Sequence, residues 1–172
     1  MKTPVFLTYK ILFIKSIDDL IDKDFVVWAT QMIQEGYESL NLYELANENE
    51  PFNQFELKIL TDKILYELEL DYSDKNKCIE NYIYFLIKSN IENPENYLIT
   101  LRKLKDFICF DEFSDEMLDF WSLYYAKDEL KYSEIQNYWY GVTRENIDSI
   151  IKDTFQIWLD NYMGKESQIE ID

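Results

Sequence analysis

The chain has 172 residues, with 17 basic and 34 acidic side chains and no histidine, for a formal net charge of −17. Hydrophobic residues make up 47% and aromatics 17%, which is ample for one core and too much for a disordered acidic chain. That charge excludes nucleic acid and anionic membrane surfaces as natural partners, because affinity for both is built on Lys and Arg.

Glycine and proline occur three times each. Sandwiches, barrels and Rossmann-type folds use many more of both at their turns, whereas a helical array with short polar connections does not. The expectation is an all-α fold: a single-domain array of about eight or nine helices, mostly antiparallel neighbours, over 1–164, with a polar tail at 165–172.

In chain order, Thr3-Pro4 reads as an N-cap with Pro at the first helical position. The apolar stretch to about Lys15 is read as helix, with a strand as the alternative. Asp22 caps a helix over 23–35 whose inward face is Phe25, Trp28, Ala29, Met32 and Ile33, and Gly36 stands where a C-terminal cap belongs. Ser39 caps a short helix with Leu42, Leu45 and Ala46. Asn53 with Glu56 has capping-box spacing and opens a helix to about 69 with Leu57, Leu60, Ile64 and Leu68 inward. Ser73 starts a helix to about 89, and Asn93-Pro94 another to about 109 on Tyr97, Leu98, Leu101, Leu104 and Ile108. Ser114, followed by Asp115 and Glu116, starts a helix to about 127, because early acids suit the positive end of the helix dipole. Its stripe is read as Met117, Leu118, Trp121, Tyr124 and Tyr125. A less regular segment covers 129–140, and Thr143 opens a last long helix ending at Gly164. No repeat of fixed period is present, so a regular solenoid is not expected.

The side chains of common catalysis are missing. Without histidine there is no usual general base, zinc ligand or triad partner. Arginine occurs only at Arg102 and Arg144, and no P-loop, GxGxxG or GxSxG string is found. Cys78 and Cys109 both sit in apolar helical patterns and read as buried free thiols of a reducing compartment. No catalytic, metal-ligating or cofactor-binding residue is therefore assigned, and no cofactor is implied. No secretory pattern opens the chain and no run approaches the roughly 18–20 apolar residues of a membrane span, so a cytoplasmic location is expected.

Carboxylates remain. Asp18, Asp19, Asp22 and Asp24 form one group, and Asp111, Glu112, Asp115, Glu116 and Asp119 another. Neither has the ligand order of an EF-hand, and both read first as solvated faces. The second group has aromatic neighbours, and acids beside aromatic rings suit the Lys and Arg of a partner. Asp111, Glu112, Asp115, Glu116 and Asp119 are thus the candidate partner-binding residues. Tyr138, Trp139 and Tyr140 form a second aromatic group beside Gly141.

The stretch 24–65 places Trp28-Ala29 at the centre of one helix, Gly36 at its end, and Leu42 with Leu45-Ala46 in the short helix that follows. This pattern resembles small acidic all-helical bacterial proteins, several of them similar to immunity proteins that neutralise toxins from neighbouring bacteria. The resemblance covers about a quarter of the chain and involves core and cap positions, so it implies a fold and transfers no site residue. The Lys, Ile, Asn and Tyr bias is that of an AT-rich bacterial genome.

Together these features point to a non-enzymatic protein-binding protein, an immunity protein for a basic toxin being the most specific form. The alternative is a structural or adaptor helical protein that self-associates as a homodimer.

Overall fold

The structure is a computed structural model that describes residues 4–109 and 114–169, with the backbone alone described at 114–116 and 166–169. These residues form eight α-helices, two 3-10 turns and no strand, as the all-helical expectation requires. The helices are α1 (Thr8–Ser16), α2 (Lys23–Gln34), α3 (Leu40–Ala46), α4 (Gln54–Glu67), α5 (Lys75–Asn90), α6 (Tyr97–Leu104), α7 (Ser114–Glu129) and α8 (Ile147–Ile169). The 3-10 turns, Pro94–Asn96 and Lys105–Cys109, flank α6. Two compact units divide the chain, Met1–Phe85 and Leu86–Asp172, with the division inside α5.

In the first unit the caps act as the sequence suggests. Asp22 accepts the Asp24 N–H through its side chain at 2.9 Å, Ser39 that of Leu42 at 3.3 Å, and Asn53 that of Glu56 at 3.4 Å. Each satisfies a first-turn donor that the helix itself leaves open. α2 ends in a Schellman motif: Gly36 N–H donates to the Ile33 carbonyl and Tyr37 N–H to that of Met32, with Gly36 at φ +83°. The same pair of bonds closes α1 and α4, where the left-handed residues are Asp18 (φ 53°) and Glu69 (φ 55°). Between them α2, α3 and α4 bury Phe25, Trp28, Met32, Leu42, Leu45, Leu57, Leu60 and Ile64 in one cluster with Ile11 and Ile14 of α1. The Gln54 amide bonds both the N–H and the carbonyl of Ile21, each at 2.9 Å, fixing the α1–α2 link against the start of α4.

The beginning of α1 differs from expectation. Thr3 lies outside the described residues. Pro4 precedes a turn in which Thr8 N–H donates to the Val5 carbonyl, and the helix starts at Thr8. The Thr8 hydroxyl has a tertiary role instead, accepting the buried Trp28 Nε1–H at 2.9 Å. α5 is also capped elsewhere: Asp74 accepts the Lys77 N–H at 3.0 Å, while Ser73 donates its hydroxyl to Asp71.

In the second unit, Tyr97, Leu101 and Leu104 of α6 and Phe107 after it are buried together with Met117, Phe120, Leu123 and Ala126 of α7 and Ile151, Phe155 and Leu159 of α8. Phe155 lies edge-on to both Tyr97 (5.5 Å between centroids) and Phe120 (5.7 Å). The Tyr97 hydroxyl donates to the Ile91 carbonyl at 2.6 Å, so its one polar group is satisfied indoors. α8 continues through Gly164 to Ile169 rather than stopping at the glycine. Gly164 does not take the positive φ a C-terminal cap requires, in contrast to Gly36 and Gly141. Cys78 is buried but Cys109 is exposed, because the expected helix to 109 gives way to a 3-10 turn after Leu104. Burial pushes the Cys78 thiol up, away from reactivity.

Among the described residues no helix is long and apolar enough to cross a membrane.

Candidate protein-binding surface

α7 is apolar on so much of its circumference that two overlapping stripes can be drawn on it, and only packing chooses between them. The buried one is Met117, Phe120, Leu123 and Ala126. Of the stripe read from the sequence, Met117 alone is fully inward. Leu118 is 51% exposed, and Trp121, Tyr124 and Tyr125 are half-buried. The cause is visible in the partners. Phe120 reaches Phe155, and Ala126 is fully buried on the same face. The larger rings with polar edges are left at the boundary with water, where Tyr and Trp are most at home.

Those boundary rings form a cluster with a residue from elsewhere in the chain. Trp121 and Tyr125 are 4.7 Å apart between centroids, and Tyr138 comes within 5.4 Å of Tyr125 and 6.0 Å of Trp121. Tyr124 stands edge-on to Tyr125 at 5.0 Å and carries Lys105 Nζ over its face at 5.2 Å. The two aromatic groups of the sequence thus share one surface at Tyr138, while Tyr140 is fully exposed and apart from these ring contacts.

Residues 130–146, expected as part helix, are turns and bends, yet they are held in place. The Gln136 side chain accepts the N–H groups of Tyr138 (2.7 Å) and Trp139 (2.9 Å) and donates to the carbonyls of Trp139 and Val142. Arg144 donates to the carbonyls of Leu130 (2.6 Å) and Ser133 (2.9 Å). Asn146 donates to the Gly141 carbonyl at 3.0 Å, and Gly141 takes φ +77°. A loop braced by two side-chain amides and one guanidinium presents Tyr138 at little cost in ordering on binding.

The candidate acids are placed unevenly. Asp111 and Glu112 lie outside the described residues. Asp115 and Glu116 are in the first turn of α7, where the backbone alone is described, and Asp119 is exposed. The acids that share the face of Trp121 and Tyr125 by helical spacing are Asp128 and Glu129, one turn beyond Tyr125. Asp128 pairs with Lys131 at 3.0 Å. Glu129 has its Oε2 shielded from solvent and accepting no hydrogen bond among the described residues. The signal for both was the three- and four-residue step from Tyr125, obscured by the wrong register.

The first acidic group is structural. Asp22 caps α2, Lys10 pairs with Asp22 and Asp24, Asp18 pairs with Lys58 at 2.6 Å, and Asp19 accepts the Leu20 N–H at 2.7 Å. Burial is the largest single influence on the Lys10 ammonium and opposes its charge, but the hydrogen bonds and charges of Asp24 and Asp22 together outweigh it and hold the group above its ordinary value. No group of three or more Cys, Asp or Glu side chains that could hold a metal occurs among the described residues.

Comparison with protein-family profiles, curated proteins and solved structures gave no match.

Proposed function

We propose that this chain is a non-enzymatic binding protein for a basic protein, acting as an immunity protein acts on a toxin. The observation that carries the reading is the half-exposed Trp121–Tyr125–Tyr138 cluster on a braced helix and loop, in a chain of net charge −17. The toxin-neutralising form draws further on the resemblance of 24–65. Asp111, Glu112, Asp115, Glu116 and Asp119 join Asp128 and Glu129 as the acids proposed to meet the partner's Lys and Arg.

The mechanism has two stages. Long-range attraction steers the basic partner in, raising the association rate and making it salt-dependent. The rings then supply desolvated anchors of the kind that dominate interface energies, since Trp and Tyr bury large areas and lose few rotamers. Self-association as a homodimer is opposed by the repulsion of two chains of net charge −17.

The test is co-expression with basic secreted toxins encoded beside the gene. Protection of growth is expected, and Trp121→Ala with Tyr138→Ala should abolish it while leaving the helical spectrum unchanged. Failure to protect against any of them, or a light-scattering mass of a stable dimer with no toxin bound, would overturn the reading.

A further inference from the structure

The outward face of α4 carries Phe55, Ile59 and Tyr66, which are 75%, 44% and 87% exposed. Phe55, Ile59 and Tyr66 step by four and seven residues, which puts them on one face of the helix, with the carboxylate of Asp62 between Ile59 and Tyr66. They lie opposite Leu57, Leu60 and Ile64, which fill the core. An apolar seam on the solvent side of a helix is not explained by the fold of its own unit.

At Tyr66 the seam meets a groove of about 520 Å³, lined by Tyr66, Leu70 and Tyr72 and by the carboxylates of Asp62, Glu69 and Asp71. Its walls are pre-set. Tyr72 donates its hydroxyl to Asp62 at 2.8 Å, Asp71 accepts from Ser73 N–H and Oγ, and Glu69 is locked in the Schellman motif that ends α4.

We infer that this seam and groove dock an amphipathic basic helix of the protein partner, with apolar side chains along Phe55, Ile59 and Tyr66 and a Lys or Arg in the groove. This rests on the reading of the chain as a binder of a basic protein and adds a contact surface in the first unit. Charge selects the occupant. A second copy of this chain would bring another net −17 to the face, and an uncharged apolar segment would leave the groove carboxylates unanswered. Lys15 already pairs with Asp62 at 2.6 Å, so the open negative charge sits on the exposed Glu69 and Asp71. Lys58 is engaged with Asp18. Lys63 flanks the seam and favours an acidic residue on that edge of the occupant.

The test uses the full chain and a labelled synthetic helix of about 20 residues, with Leu at the seam positions and Lys beside them, read by fluorescence anisotropy. A scrambled peptide of the same composition controls for bulk charge. The patterned peptide should bind about tenfold or more tightly than the scrambled one, the effect of placing a few anchors correctly. Phe55→Ser with Tyr66→Ser, which changes no charge and replaces two exposed side chains, should erase that difference. Glu69→Gln with Asp71→Asn should weaken binding about tenfold and flatten its salt dependence. Trp121→Ala with Tyr138→Ala should leave it unchanged. Equal binding of the two peptides, indifference to the α4 variants, or a dimer that dissociates on Phe55→Ser would overturn the inference. The two proposals fail separately: toxin protection lost with peptide binding intact fails the functional reading, and protection kept without the seam fails this one.

Discussion

Trp28 and Thr8 offer a measurable test of how the first unit is held together. The indole Nε1–H donates to the Thr8 hydroxyl at 2.9 Å, and the residues are 0% and 5% exposed, so neither polar group has water to fall back on. Thr8→Val keeps the shape but orphans the indole N–H. Leaving a buried donor unmade costs about 1–3 kcal/mol. Trp28→Phe orphans the hydroxyl and opens space in the cluster, for about 3 kcal/mol in total. The double variant has neither orphan, so it should be more stable than the sum of the single losses by about 1–2 kcal/mol. Urea unfolding of the full chain, followed by far-ultraviolet circular dichroism in the transition of the first unit, gives the four stabilities. A coupling energy below about 0.5 kcal/mol would mean additivity, and would refute the bond as the tie between α1 and α2.

Other expectations concern local strain, titration and the loop. Gly36→Ala should destabilise by about 1 kcal/mol, whereas Glu69→Gly should stabilise by up to about 1 kcal/mol, because both positions need the left-handed backbone; thermal melts decide both. The Tyr72 hydroxyl is pushed up to about 12 by burial and then by its bond to Asp62. Its folded value exceeds the unfolded one, so its stabilisation is full below about pH 10 and lost as pH rises toward 12. Tyr72→Phe should lose the highest-titrating phenol absorbance and make the alkaline fall in stability shallower. Arg144→Ala frees the carbonyls of Leu130 and Ser133, so limited proteolysis should cut within 130–146 sooner than in the parent, with α7 and α8 intact.

What could be read from the sequence was decided by local chemistry. Asp22, Ser39 and Asn53 cap because a short polar side chain beside an open N–H has few other choices, and Gly36 ends α2 because glycine accepts a positive φ freely. Asp18 and Glu69 do the same work, closing α1 and α4 with the same backbone bonds, without a glycine to announce them. Conversely, Gly164 looked like a helix end and is not one. The register of α7 was out of reach for a different reason. Phe120, Leu123 and Ala126 and the set Trp121, Tyr124 and Tyr125 are both plausible inward faces, and only the position of Phe155 on α8 separates them. The meeting of Tyr138 with Trp121 and Tyr125 depends on a loop shaped by Gln136 and Arg144, side chains with no local signature.

The most direct measurement of the central claim is titration of the full chain with any basic toxin against which co-expression proves protective, followed by surface plasmon resonance for the rates. Trp121→Ala with Tyr138→Ala should weaken binding by at least about 2 kcal/mol, roughly thirtyfold, as for interface anchors, and added salt should weaken the affinity of the parent chain. Unchanged affinity in the double variant, with no salt dependence, would contradict the account.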